Sequence, residues 1–363
     1  WEGEDLEVPV MFVRTTEDYT SHFPITRSSM KFTTDSYHKK DLETYWFDFE
    51  TRLESFKEGL NHTKYYEDAY PFFFVDMGPI GPAGCMGADI DHDFQSSWIQ
   101  PCLDDYESIY NFSIDTNNFY WSKILQGVKL ALEKLDGDCV VTMPDIIGSM
   151  TVLAGMRGHN KFFKDLIKRP DEVKEALRHI EDQIIIMYEK LSDILLEKQG
   201  YMAFWNGIIS KKPTYTPQND ISVTISPQRF REFDIPGKEK LIRKYAHTVY
   251  HLDGPGSLKH LDHILNLEKL NAVQWIPGAG QPGGHITTGE DAQNEYEVDT
   301  GMMHWIDQLK KIKSHGKSIE LFLNPKDAGQ LVKELGPKGL LLKIKCKNDK
   351  EAKKTIEEIK KVC

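Results

Sequence analysis

A recurrence constrains this chain more than any other feature. Short apolar runs, bounded by Gly, Pro or Asp, are each followed by a longer stretch with helical spacing. The runs are PFFFVDMGP (71–79), DCVVTMPDIIG (138–148), GYMAFWNG (200–207), DISVTISP (220–227), HTVYHLDG (247–254), NAVQWIPG (271–278), SIELFLNP (318–325) and GLLLKIKC (339–346). Runs of this length between turn residues read as strands. Most are apolar nearly throughout, which predicts strands covered on both faces, as in a parallel sheet. The intervening segments are amphipathic. In PDEVKEALRHIEDQIIIMYEKLSDILLEKQG, residues Val173, Leu177, Ile180, Ile184, Met187, Leu191 and Ile194 recur at three- and four-residue spacing. Pro170 and Asp171 open that helix and Gly200 closes it. DKEAKKTIEEIKKV predicts a shorter helix near the end of the chain.

Eight strand–helix units within 363 residues predict an α/β protein, specifically a closed (β/α)8 TIM barrel; an open doubly wound sheet is the alternative. The first 70 residues do not follow the alternation. FPITRSSMKFTTDSYHKKDLETYWFDFETRLESFKEGL reads as a helical elaboration packed on the barrel, so the expected division is 1–70 and 71–363.

Charge and cysteine usage narrow the function classes. A net charge of -11 argues against nucleic acid or an anionic membrane as partner. Cys85, Cys102, Cys139, Cys346 and Cys363 are odd in number and contain no CxxC, which fits a reducing, cytoplasmic setting rather than a disulfide scaffold. No apolar run approaches a membrane span. A start at Trp1 rather than Met implies a trimmed chain. No oligomer interface has a visible signature.

In a (β/α)8 barrel the active site lies at the C-terminal ends of the strands. Asp76 ends the first run here and Asp145 follows the second. Trp205 and Asn206 end the third, His251 and Asp253 the fifth, Gln274 and Trp275 the sixth. Glu320 and Asn324 lie in or after the seventh, and Cys346 ends the eighth. Asp145 and Asn324 serve equally well as helix caps. Trp205 and Trp275 either fill the core or wall a pocket.

His251 and Asp253 stand at i and i+2, so on a strand both face the same way. Imidazole and carboxylate suit zinc or a similar divalent ion. The Cys346 thiolate would be the third ligand, leaving the open position a catalytic metal needs. The alternative is a plain hydrogen-bonded pair. WIPGAGQPGGHITTG (275–289) is glycine-rich without phosphate-loop spacing and reads as a lid or entrance wall, with His285 exposed.

ISPQRFREFDIPGKEKLI, YHLDGPGSLKHLDHILNLEKLNAVQWIPGAGQP and PDIIGSMTVLAGMRGHNKFFKDLIKRPDEV resemble the uroporphyrinogen decarboxylase superfamily, in the branch near the cobalamin-dependent methyltransferases. The resemblance implies a (β/α)8 barrel with a deep cleft at the strand C-termini. The decarboxylases carry an Arg-rich N-terminal segment for porphyrinogen carboxylates. This chain has nine arginines, of which only Arg14 and Arg27 precede residue 50. The corrinoid-linked methyltransferases carry His-x-Cys after one strand and Cys after the last. Here His251 and Cys346 match, and Asp253 replaces a thiolate.

The leading expectation is therefore a metal-assisted methyltransferase served by a corrinoid protein. Zinc would sit on His251, Asp253 and Cys346. Phe74, Trp205 and Trp275 would wall a small organic substrate, and Asp76, Asn206 and Gln274 would orient it. The alternative is a metal-free decarboxylase acting on a tetrapyrrole or smaller carboxylate, with Asp76 stabilising charge and His251 moving the proton. A third class is a non-catalytic corrinoid or small-molecule binding protein.

Overall fold

The computed structural model describes residues 6–16, 42–75, 77–78, 81–93, 96–278, 280–283 and 301–363. Seven of the eight predicted runs contain strands: Phe72–Phe74, Val140–Thr142, Met202–Ala203, His247–Asp253, Ala272–Ile276, Ser318–Leu323 and Leu340–Cys346. The architecture is α/β with a mixed, mostly parallel sheet.

The chain forms two compact units: Trp1–His22, Lys57–Pro71 and Thr248–Cys363 make the first, Phe23–Phe56 and Phe72–His247 the second. In the first, neighbouring strands run in the order Thr63–Glu67, Val10–Thr16, Leu340–Cys346, Ser318–Leu323, Ala272–Ile276, His247–Asp253. Only the pairing of Thr63–Glu67 with Val10–Thr16 is antiparallel; the others are parallel. Parallel neighbours need crossovers, and helices Leu261–Leu265, Ile306–Ser314 and Pro325–Leu335 belong to them. Coverage on both faces explains why Leu340, Leu341, Leu342 and Ile344 are all buried. The strand Val10–Thr16 lies where the sequence suggested only helix. Its signal was MFV, and Met11, Phe12 and Val13 are core residues.

The second unit is mainly helical. Phe72–Phe74 pairs in parallel with Val140–Thr142, and Met202–Ala203 pairs antiparallel with Ile209–Ser210. Its longest helix is Pro170–Gln199, bounded as its sequence predicted: Pro170 opens it, and Gly200 in the left-handed conformation caps it, its N–H reaching the Leu196 carbonyl at 3.0 Å. The stripe Val173, Leu177, Ile180, Ile184, Met187, Leu191 is buried; at its end Leu195 rather than Ile194 is the fully buried residue. The predicted helical segment before residue 60 contains Leu42–Phe47 and Phe49–Asn61.

DISVTISP corrects one expectation. As a short run between turn residues it read as a strand, but Asp220–Thr224 is a 3-10 helix. Ser222 and Ile225 donate to the carbonyls three residues back. That turn buries Ile221, Ser222 and Ile225 and leaves Val223 exposed, a three-residue rhythm that five residues could not separate from a two-residue one. No helix among the described residues is long and apolar enough to cross a membrane.

Candidate functional site

Four polar side chains on four adjoining parallel strands form a continuous chain of contacts. Lys343 Nζ donates to Glu320 Oε1. Gln274 Nε2 donates to the same Glu320 oxygen at 2.7 Å, and Gln274 Oε1 lies 2.5 Å from His251 Nδ1. Register makes this possible: His251 stands opposite Gln274, Gln274 opposite Glu320, and Lys343 opposite Phe322, two residues on from Glu320. Gln274 and Glu320 are fully buried and Lys343 is 2% exposed. The lysine nitrogen also lies over the Phe322 ring, 5.0 Å from its centroid.

Such a cluster is costly unless paired, and here every link is made. Burial pulls the pKa of Lys343 down, and Glu320 pulls it back up. His251, at the near end, is half-buried. Asp253, two residues on and on the same strand face, is exposed. Thus the sheet holds a fully sequestered ion pair at one end and, through one amide, a partly accessible imidazole at the other.

The structure does not bring the expected metal ligands together. Since a strand alternates its side chains, Lys343 and Cys346 point to opposite faces of the last strand. Lys343 joins the His251 face; Cys346 lies against Glu351 and Thr355 of the helix Asp349–Val362. The Cys346 thiol is buried, and burial pushes its pKa up to about 12. Among the described residues, no group of three or more His, Cys, Asp or Glu could hold a metal ion.

Alternation also separates Gln274 from Trp275. Gln274 belongs to the polar chain, while Trp275, 1% exposed, meets Trp305 edge-on with ring centroids 5.2 Å apart. Its surroundings are those of a core residue rather than a pocket wall. Asn324 takes the capping alternative: its side chain accepts from the Lys326 N–H at 3.0 Å at the start of Pro325–Leu335.

The remaining expected residues belong to the second unit. Phe74 is 8% exposed and Trp205 half-buried. Asn206 is fully buried, and its side-chain oxygen accepts from the Ile208 N–H at 3.2 Å within the turn joining two short strands. Asp145 accepts from Gln218 Nε2 at 2.5 Å. Asp76 and His285 lie outside the described residues. The residue that sequence reasoning passed over is Lys343. Its signal was a charged side chain within LLLKIKC, otherwise a continuously apolar strand.

A scan against protein-family models gives no match, and neither does a search of curated proteins. Solved structures do resemble this chain. One is a methyltransferase from Methanosarcina mazei, 13% identical, with a TM-score of 0.57 over 99% of this chain and 95% of that one. At that identity the likeness is one of fold, and it extends over nearly the whole of both chains.

Proposed function

We propose that this chain is a methyltransferase built on the (β/α)8 barrel of the uroporphyrinogen decarboxylase superfamily, exchanging a methyl group with a corrinoid carried by a partner protein. The observation that carries this reading is the full-length fold likeness to the Methanosarcina mazei methyltransferase. It agrees with the sequence resemblance around HLDGPGSLKHLDH. Fold alone does not fix chemistry, and the polar chain ending at His251 offers a reacting group.

Zinc does not enter this reading, because Cys346 faces the helix side of its strand and not the face that carries His251. His251 is instead the group that handles the proton. As a protic nucleophile bonds to the methyl carbon, His251 takes its proton, and the electron pair of the broken methyl bond leaves with the donor. In that step a bound corrinoid would supply the methyl group and keep the electron pair of the broken bond.

The test is methyl transfer itself. Purified protein is mixed with methylcobalamin and a panel of simple thiols, and loss of the cobalt–methyl absorbance is followed with and without chelator. The expected outcome is chelator-insensitive demethylation that falls at least about 100-fold in His251→Ala. No demethylation with any acceptor would overturn the reading. Stoichiometric zinc present in the wild type and absent from His251→Ala would overturn its metal-free form.

A further inference from the structure

We infer that Lys343, Glu320 and Gln274 are positioning residues that hold His251 in one tautomer, with the proton on Nδ1 and the lone pair on Nε2. Each link determines the next. An ammonium can only donate, so the Glu320 oxygen facing Lys343 accepts. The same oxygen faces one end of the Gln274 side chain at 2.7 Å, and a carboxylate offers no proton, so that end is the NH2. An amide has one NH2 and one carbonyl. Its carbonyl oxygen therefore faces His251 Nδ1 at 2.5 Å. A carbonyl oxygen accepts and cannot donate, so Nδ1 carries the hydrogen. In a neutral imidazole the other nitrogen then holds the lone pair.

The direction of the chain is thus set by the lysine at its far end. Burial matters because no solvent reaches the Gln274 amide to compete at either of its ends. Reversing the amide would set its carbonyl against the carboxylate and its NH2 against the Nδ1 hydrogen, two acceptors at one end and two donors at the other. The arrangement does for His251 what a carboxylate or carbonyl does behind many functional histidines: it fixes tautomer and ring orientation. Here an amide stands between the charge and the ring, so the imidazole is oriented without a carboxylate in contact with it. What Nε2 does in methyl transfer rests on the proposed function; the tautomer does not.

The tautomer can be read directly from ring-nitrogen NMR of protein labelled with 15N-histidine, at a pH about two units above the ordinary imidazole value of about 6.5. The His251 signals are identified by their loss in His251→Gln. The wild type is expected to show a protonated Nδ1 and an unprotonated Nε2; the reverse pattern overturns the inference.

In Lys343→Met, buried Glu320 is expected to take up a proton and donate it to the amide oxygen. The amide then turns its NH2 toward His251, and the tautomer inverts. A folded Lys343→Met protein with the wild-type pattern also overturns the inference. Should that variant not fold, Gln274→Met decides: two exchanging tautomers support the positioning role, and retained Nδ1–H refutes it. The spectrum needs no substrate, so failure of the tautomer assignment and failure of methyl transfer are separate results.

Discussion

Lys343 and Lys238 are both almost completely buried lysines beside buried carboxylates, yet their surroundings differ. In the sheet unit, Lys343 touches Glu320, and Gln274 adds a second donor to the same oxygen. In the helical unit, Lys238 lies 3.4 Å from Asp234 but makes its shorter contact, 2.7 Å, with the Gln218 carbonyl. Neither Asp234 oxygen has a hydrogen-bond partner of good geometry. Burial accordingly pushes the Asp234 pKa up, with Lys238 pulling against it. Burial likewise raises nearby Glu181 to about 7, against Lys238, Lys240 and a 3.3 Å hydrogen bond from Ser149. The sheet cluster is paired link by link and directional, whereas burial favours the protonated acids in the helical cluster. Pairing geometry rather than burial alone separates them.

The largest effect should come from breaking the well-made pair. Lys343→Met leaves Glu320 without its counter-charge and is expected to cost about 3–5 kcal/mol in urea unfolding. Lys238→Met should cost less, about 1–3 kcal/mol, because Asp234 is already poorly partnered and the chief loss is the bond to Gln218. If the order is reversed, the contrast between the two clusters fails.

Acid and base sharpen the same comparison. Glu181 has a folded pKa of about 7 against 4.5 for the free group, so between those values the folded state holds more protons than the unfolded one. Its contribution is therefore most favourable below about pH 4.5 and is lost as pH rises through 7, a change of roughly 3 kcal/mol over the window. Glu181→Gln should flatten that part of the stability–pH curve. An unchanged slope in the variant would place the titration elsewhere.

The smallest effect sets the scale for an uncharged bond at a strand–helix junction. Asn324→Ala removes the cap of Pro325–Leu335 and should cost about 1 kcal/mol, read as a modest drop in unfolding midpoint. A cost equal to that of Lys343→Met would mean that buried charge is not what makes the sheet cluster sensitive.

Much of this was written in the order of residues. The Pro170–Gln199 helix needed only its stripe and its end signals, because a helix satisfies its own backbone and its period is local. The long parallel strands were legible as apolar runs for the same reason. DISVTISP was misread because five residues carry too little period to separate a strand from a helical turn. His251 and Gln274 stood out as polar ends of apolar runs, but the partners of each were not visible, since hydrogen bonds across a sheet join residues far apart in sequence. His251 and Gln274 are 23 positions apart, Gln274 and Glu320 are 46.

The sequence by itself determined the local conformations: which stretches alternate, which are covered on both faces and where helices begin and end. Only the tertiary structure decided which faces meet. It placed Lys343 with Glu320, Gln274 and His251, and turned Cys346 and Trp275 to the other side. The reason is the two-residue period of a strand. One step along the chain moves a side chain to the opposite face, and a run buried on both faces gives no sign in its composition of which face is which.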